Sequence, residues 1–152
     1  MQLPPLSVSA VELGATVPDW RAAVHLVGDV LARSGTATPA YADEMVRMIE
    51  EHGPYVVIAP GLALAHARPG PAVLADGLAI VTLAEPVNFG HPHNDPVRVV
   101  LGLAIKTADT HLAAVAQLAN VFNDSSAIDD IAAATTPEQV LAIMSAGSGA
   151  HS

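Results

Sequence analysis

Apolar positions along the chain switch between a helical repeat of 3.6 and compact runs of strand type. Residues 8–13 (Val-Ser-Ala-Val-Glu-Leu) have the length and alternation of a short edge strand. Between 19 and 33, Trp20, Ala23, Val24, Val27, Val30 and Leu31 share one helical face, and Ser34-Gly35 stops the helix. A second helix is predicted over 39–51, burying Tyr41, Met45, Met48 and Ile49, with Gly53-Pro54 ending it. Tyr55-Val-Val-Ile58 is a β-branched run of the buried-strand kind. Pro69-Gly70-Pro71 can neither continue a helix nor pair as a central strand. Residues 77–83 and 97–105 read as two further strands, with Val87-Asn-Phe89 as a short strand between them and a polar loop over 91–96.

The C-terminal third is helical in rhythm. Asp109-Thr110 is the predicted cap of a helix over 111–122, with Leu112, Val115, Leu118, Ala119 and Phe122 as its buried stripe. A short helix follows over 126–133. The last helix opens with Thr136 as cap, Pro137 at its first position and Gln139 three residues on, the pattern of a capping box. Residues 147–152 read as a disordered tail, leaving 1–146 as one domain. No internal repeat, linker or low-complexity insert divides it. The predicted architecture is an α/β three-layer α/β/α sandwich: a mixed β-sheet between two helical layers.

Composition narrows this picture. A chain of 152 residues fits one domain that buries about two thirds of its unfolded surface. Hydrophobic residues make up 51% but aromatics only 3%, so Ala, Val, Leu and Ile must build the core. The 6 basic and 15 acidic residues leave a formal charge of −9, which repels phosphate backbones and anionic lipid and suits a basic partner face. Nucleic acid is therefore not an expected partner. With no cysteine, disulfides, thiol catalysis and cysteine-ligated zinc are excluded. Met-Gln-Leu-Pro-Pro lacks the features of a signal peptide, and no segment approaches the ~18 apolar residues of a bilayer span. The expected location is the cytoplasm.

Chemistry then concentrates on histidine. His66 lies just past the strand-like run, on what reads as a turn of small residues (Gly61, Ala63, Ala65, Ala67) that leave the ring accessible. Imidazole titrates nearest neutrality, so a share of it is nucleophilic at physiological pH. One reading is a phosphohistidine carrier in which His66 attacks a phosphoryl group. Arg68 and backbone amides would hold the phosphoryl oxygens, and His111, at a predicted helix N-terminus, would share the charge. Against it stands a histidine that ends a strand on a backbone carbonyl, with Arg68 solvated and His111 an ordinary first-turn residue. A metal reading pairs His91 and His93 with Asp95, although Asn94-Asp95-Pro96 is also a strong turn initiator. No serine sits in a Gly-x-Ser-x-Gly elbow, and no phosphate-binding glycine loop occurs. His25, His52 and His151 receive no role.

Gly53-Pro-Tyr-Val-Val-Ile-Ala-Pro-Gly-Leu-Ala, the following His66-Ala-Arg68-Pro69, and Val81-Thr-Leu with Asn94-Asp-Pro-Val97 resemble the type-2 IIA components of the bacterial phosphoenolpyruvate-dependent sugar phosphotransferase system. Within that mannitol/fructose IIA superfamily they are most similar to the ascorbate-type branch, and the similarity extends from Trp20 to the last helix. The resemblance implies a mannitol-IIA-like fold without cofactor or metal. It also implies a relay: the histidine-containing carrier protein HPr phosphorylates His66 through Nε2, and His66 passes the group to a cysteine of a IIB protein. IIB in turn phosphorylates a sugar entering through a membrane IIC permease. His111 matches the second histidine beside the phosphoryl group in this superfamily. One departure is Ala65, where the family usually has proline; loss of that stiffening costs up to ~1 kcal/mol in ordering. The arginine of the mannitol branch has no secure counterpart, Arg47 being only near its place. A regulatory IIA-like module, or an interaction domain that keeps the fold without the transfer, are the alternatives.

Overall fold

The computed structural model describes residues 6–123 and 125–149. In chain order the elements are β1 (Val11–Ala15), α1 (Trp20–Arg33), α2 (Ala40–His52), β2 (Val57–Ala59), β3 (Leu62–His66), β4 (Gly77–Val87), β5 (Val97–Ala104), α3 (Ala108–Val121), α4 (Ser125–Ala132) and α5 (Pro137–Gly149). The strands form one mixed sheet in the order β1-β4-β5-β3-β2. The β1/β4 and β3/β5 pairs are parallel; β4/β5 and β2/β3 are antiparallel.

Strand alternation sorts side chains to two faces of unequal bulk. Leu62, Leu64, Leu78, Ile80, Val99, Leu101 and Leu103 face α3, α4 and α5, forming one core with Leu118, Ile128, Ile131 and Val140. Ala63, Ala65, Ala79 and Val81 face α1 and α2 and pack with Val24, Val27, Leu31 and Met45. On this thinner face Gly102 has no side chain because α1 lies directly on it: a Cβ there would stand 2.8 Å from Val27 Cγ2. The sandwich of a mixed sheet between helical layers is thus as the sequence predicts.

Several local expectations are corrected. Residues Val8–Ala10 form a 3-10 turn closed by the Ala10 N–H on the Ser7 carbonyl, so the edge strand begins only at Val11. Tyr55 is not in a strand: the bonds from Tyr55 N–H to Gly53 O and from Val57 N–H to Pro54 O turn the chain there, and β2 starts at Val57. The small-residue stretch before His66 is strand β3, not a turn, because it lies between β5 and β2 and pairs with both. Val87 closes β4 and does not open a separate strand. Helix α3 starts earlier than expected, because the Thr107 hydroxyl accepts the Thr110 N–H and so places Asp109 and Thr110 in the first turn. Helix α5 extends through Gly149, three residues into the expected tail; glycine weakens a helix by only about 1 kcal/mol and does not forbid it. The remaining tail residues, 150–152, lie outside the described residues.

Side chains also close the starts of α1 and α5. Asp19 caps α1 by accepting the Ala22 N–H at 2.9 Å. The Thr136 hydroxyl accepts the Gln139 N–H, while Gln139 Oε1 accepts from Thr135 N–H, one residue before the usual capping-box partner. No helix among the described residues is long and apolar enough to cross a membrane.

Candidate functional site

His66 is the last residue of β3, paired with Leu103 of β5 at the end of the parallel ladder. By alternation it lies on the face of Leu62 and Leu64, the side covered by α3. The ring is half-buried, and Nδ1 lies 2.8 Å from the carbonyl oxygen of Leu64 on the same strand. A carbonyl only accepts hydrogen bonds, so Nδ1 carries the proton and, in the neutral ring, Nε2 carries the lone pair. The carbonyl bond expected of a purely structural strand-end histidine is therefore present. It selects the tautomer whose lone pair is on Nε2.

Around the ring lies an open cleft of about 320 Å³, lined by Met48, Tyr55, Arg68, Ala108 and Leu112 among others. Arg68 is exposed and borders both this cleft and an adjacent one of about 290 Å³ that also holds Glu44, Arg47 and Glu51. Arg47, the residue nearest the place of the mannitol-branch arginine, thus lies in the neighbouring cleft and is not part of the lining around His66. The first turn of α3 contributes Ala108, bringing a helix N-terminus, which favours negative charge, to the rim. His111 is the fourth residue of that helix; its side chain lies outside the described residues.

Two tyrosines that sequence reasoning passed over meet this site. The Tyr55 ring stands edge-to-face on the His66 imidazole, centroids 5.4 Å apart at 88°, and its hydroxyl donates to the His66 carbonyl at 3.0 Å. Burial raises its pKa, with the positive charge of Arg68 opposing. Tyr41, counted from sequence only as part of a buried helical stripe, accepts the Ala67 N–H at 3.0 Å and donates to the Leu103 carbonyl at 2.7 Å. A signal for Tyr41 was present: a fully buried phenol nearly always finds a polar partner, whereas Tyr55 is exposed and carries no such signal.

Burial pushes the Tyr41 phenol up to about 12, partly offset by the Ala67 N–H. Since the folded pKa exceeds the ordinary 10, this group's contribution is intact below pH 10 and is lost as pH rises through about 12. A two-unit shift corresponds to about 3 kcal/mol at the limit. Chemical denaturation midpoints are expected to fall between pH 10 and 12, and Tyr41→Phe, lacking the titrating group, should show a shallower fall. An equally steep fall in that variant would assign the alkaline loss to other groups.

Four other histidines are placed elsewhere, and His151 lies outside the described residues. In the 91–96 loop, His91 Nδ1 accepts the His93 and Asn94 N–H groups, and the Asp95 carboxylate accepts from Phe89, Gly90 and His91. These side chains build a polar turn. Among the described residues no group of three or more potential metal-binding side chains converges. His25 meets Asp29 and Asp43 on the surface of α1 and α2, and His52 ends α2, where a helix favours positive charge.

Comparison with known proteins bears on this geometry. Residues 5–147 match the family model described as the phosphoenolpyruvate-dependent sugar phosphotransferase system, EIIA 2. The ascorbate-specific PTS system EIIA component of Escherichia coli strain K12 is 36% identical over 133 residues, covering 87% of this chain and 86% of the relative. A PTS IIA protein (PtxA) of Streptococcus mutans superposes with a TM-score of 0.85 at 34% identity, over 95% of this chain and 92% of the other. Enzyme IIAMTL of Escherichia coli, solved in complex with phosphorylated enzyme IIBMTL, shares the fold with a TM-score of 0.83 at 23% identity, over 93% of this chain and 97% of the other.

Proposed function

The chain belongs to the EIIA 2 family of the phosphoenolpyruvate-dependent sugar phosphotransferase system, and from this premise we propose that its domain, residues 1–146, is the phosphocarrier IIA component of an ascorbate-type system, with His66 as the phosphorylated residue. The observation that carries the reading is the bond from His66 Nδ1 to the Leu64 carbonyl, which puts the proton on Nδ1 and the lone pair of the neutral ring on Nε2. In the first transfer Nε2 attacks the phosphorus of phosphorylated HPr. The new N–P bond forms as the donor's own N–P bond breaks, and the electron pair stays on the donor imidazole. In the second, a cysteine thiolate of a IIB protein attacks the same phosphorus and Nε2 departs with its pair. No metal or cofactor enters either step.

Charge on the transferring group favours Arg68 and His111 as its helpers, together with the α3 N-terminus. Ascorbate enters through the relatives' specificity, since a IIA component does not itself bind the transported compound. The membrane IIC component is a partner only through IIB, and the relay operates on the cytoplasmic side.

The test is incubation of the protein with phosphoenolpyruvate, enzyme I and HPr, followed by intact mass measurement and peptide mapping. A gain of one phosphoryl group located on His66 is expected. An unchanged mass, or a phosphoryl group mapped to another residue, would overturn the assignment.

A further inference from the structure

The peptide group that joins His66 to Ala67 lies where the sheet runs out of backbone partners on both sides. On one side Leu64 N–H donates to Val56 O at 2.8 Å, so by strand alternation His66 also presents its backbone groups toward β2. The chain there has already turned away at 53–55, and the acceptor at His66 is met by the Tyr55 hydroxyl at 3.0 Å. On the other side the β3/β5 register ends at His66 and Leu103. Here the Tyr41 hydroxyl is inserted as an extra rung, accepting from Ala67 N–H at 3.0 Å and donating to Leu103 O at 2.7 Å. One hydroxyl has one proton and two lone pairs, so Tyr41 serves both bonds at once.

The geometry points to a two-tyrosine clamp: Tyr55 on the carbonyl and Tyr41 on the amide of the His66–Ala67 peptide together fix how the reacting imidazole and Arg68 are presented. This inference rests on the phosphocarrier reading for its consequence in transfer. A peptide is planar, so holding its two polar ends from opposite sides fixes its rotation about the strand axis. That rotation sets the direction of the His66 side chain on one side and of the chain leading to Arg68 on the other. A buried phenol seeking any acceptor could take one of many carbonyls; here both hydroxyls converge on the one peptide adjoining the nucleophile.

Both tyrosines are positioning residues, because they act through the backbone and through the ring of His66. Tyr55→Phe retains the ring and removes the donor. The maximal rate of phosphoryl transfer from phosphorylated HPr is expected to fall about tenfold in this variant at an unchanged half-saturating HPr concentration. Nitrogen-15 NMR of the neutral imidazole should show the single Nδ1–H tautomer in the parent and a mixture in the variant. Tyr41→Phe should behave similarly, with a melting curve confirming that it folds; if it does not fold, Tyr55→Phe alone decides. A parental rate and a parental tautomer in the folded variants would overturn the clamp. So would a raised half-saturating concentration at unchanged maximal rate, which would assign Tyr55 to docking. The tautomer measurement needs no phosphoryl donor, so it decides the clamp even if the parent protein takes no phosphoryl group and the phosphocarrier reading fails.

Discussion

His66→Asn is expected to take up no detectable phosphoryl group from phosphorylated HPr while keeping the parental melting temperature. The asparagine Nδ2 hangs from Cγ as Nδ1 does and can still donate to the Leu64 carbonyl, so the end of β3 retains its local bond. What it lacks is a localised lone pair: an amide nitrogen is conjugated with its carbonyl and does not attack phosphorus. Loss of the nucleophile in a covalent relay costs roughly a thousandfold or more in rate, which places the variant below detection by intact mass. The ring is half-buried and sits at the end of the sheet, outside the two apolar clusters, so stability should be nearly unaffected. A variant that still gains a phosphoryl group would move the nucleophile to another residue. One that loses the group only because it unfolds would show this in its melting curve.

The largest stability effect is expected far from the cleft, at Gly28→Val. Helices α1 and α2 cross with Gly28 against Ala42, and a Cβ at position 28 would stand 2.5 Å from Ala42 Cβ and 2.7 Å from Ala42 Cα. The second of these is backbone and cannot rotate away. Ala42 is fully buried, so the helices must separate, opening the layer that also contains Val24, Val27 and Met45. Overpacking of this kind costs about 3 kcal/mol, which for a chain of this length lowers the melting temperature by roughly 9 °C. Gly28→Ala should lose less, because alanine recovers about 1 kcal/mol of helix propensity. A calorimetric scan of both variants measures the difference. Parental melting in Gly28→Val would mean that the helix crossing is looser than these distances require.

How far the sequence speaks for this fold depends on what each element uses as its signal. The first helix is legible because its cap, stripe and stop are all local: Asp19, the apolar face from Trp20 to Leu31, and Ser34-Gly35. The interior strands β4 and β5 are legible because Val, Ile and Leu cluster in them. Strand β3 is hidden, since Leu-Ala-Leu-Ala-His has no β-branched residue and its alanines look like turn material. Those alanines lie on the thinner face of the sheet, in the core shared with α1 and α2, a setting made by segments far away in the chain. The start of α3 is missed by a similar margin: Thr107, Asp109 and Thr110 are all good caps by type, and only the bond to the Thr110 N–H distinguishes them. At the site, the identity of His66 and the nearness of Arg68 follow from the motif. That two phenols converge on the next peptide does not, because residue order says nothing about which acceptor a side chain from another element will reach.

The unequal bulk of the two sheet faces has a mechanical consequence. Beneath α1 the strands' contacts run mostly through alanine and valine methyl groups and the bare backbone of Gly102, which have little rotation with which to absorb a displacement. Beneath α3, α4 and α5 they run through leucines and isoleucines that have alternative rotamers. His66 faces the layer richer in rotatable side chains, so a bulky group carried on its ring would have the more yielding of the two cores behind it.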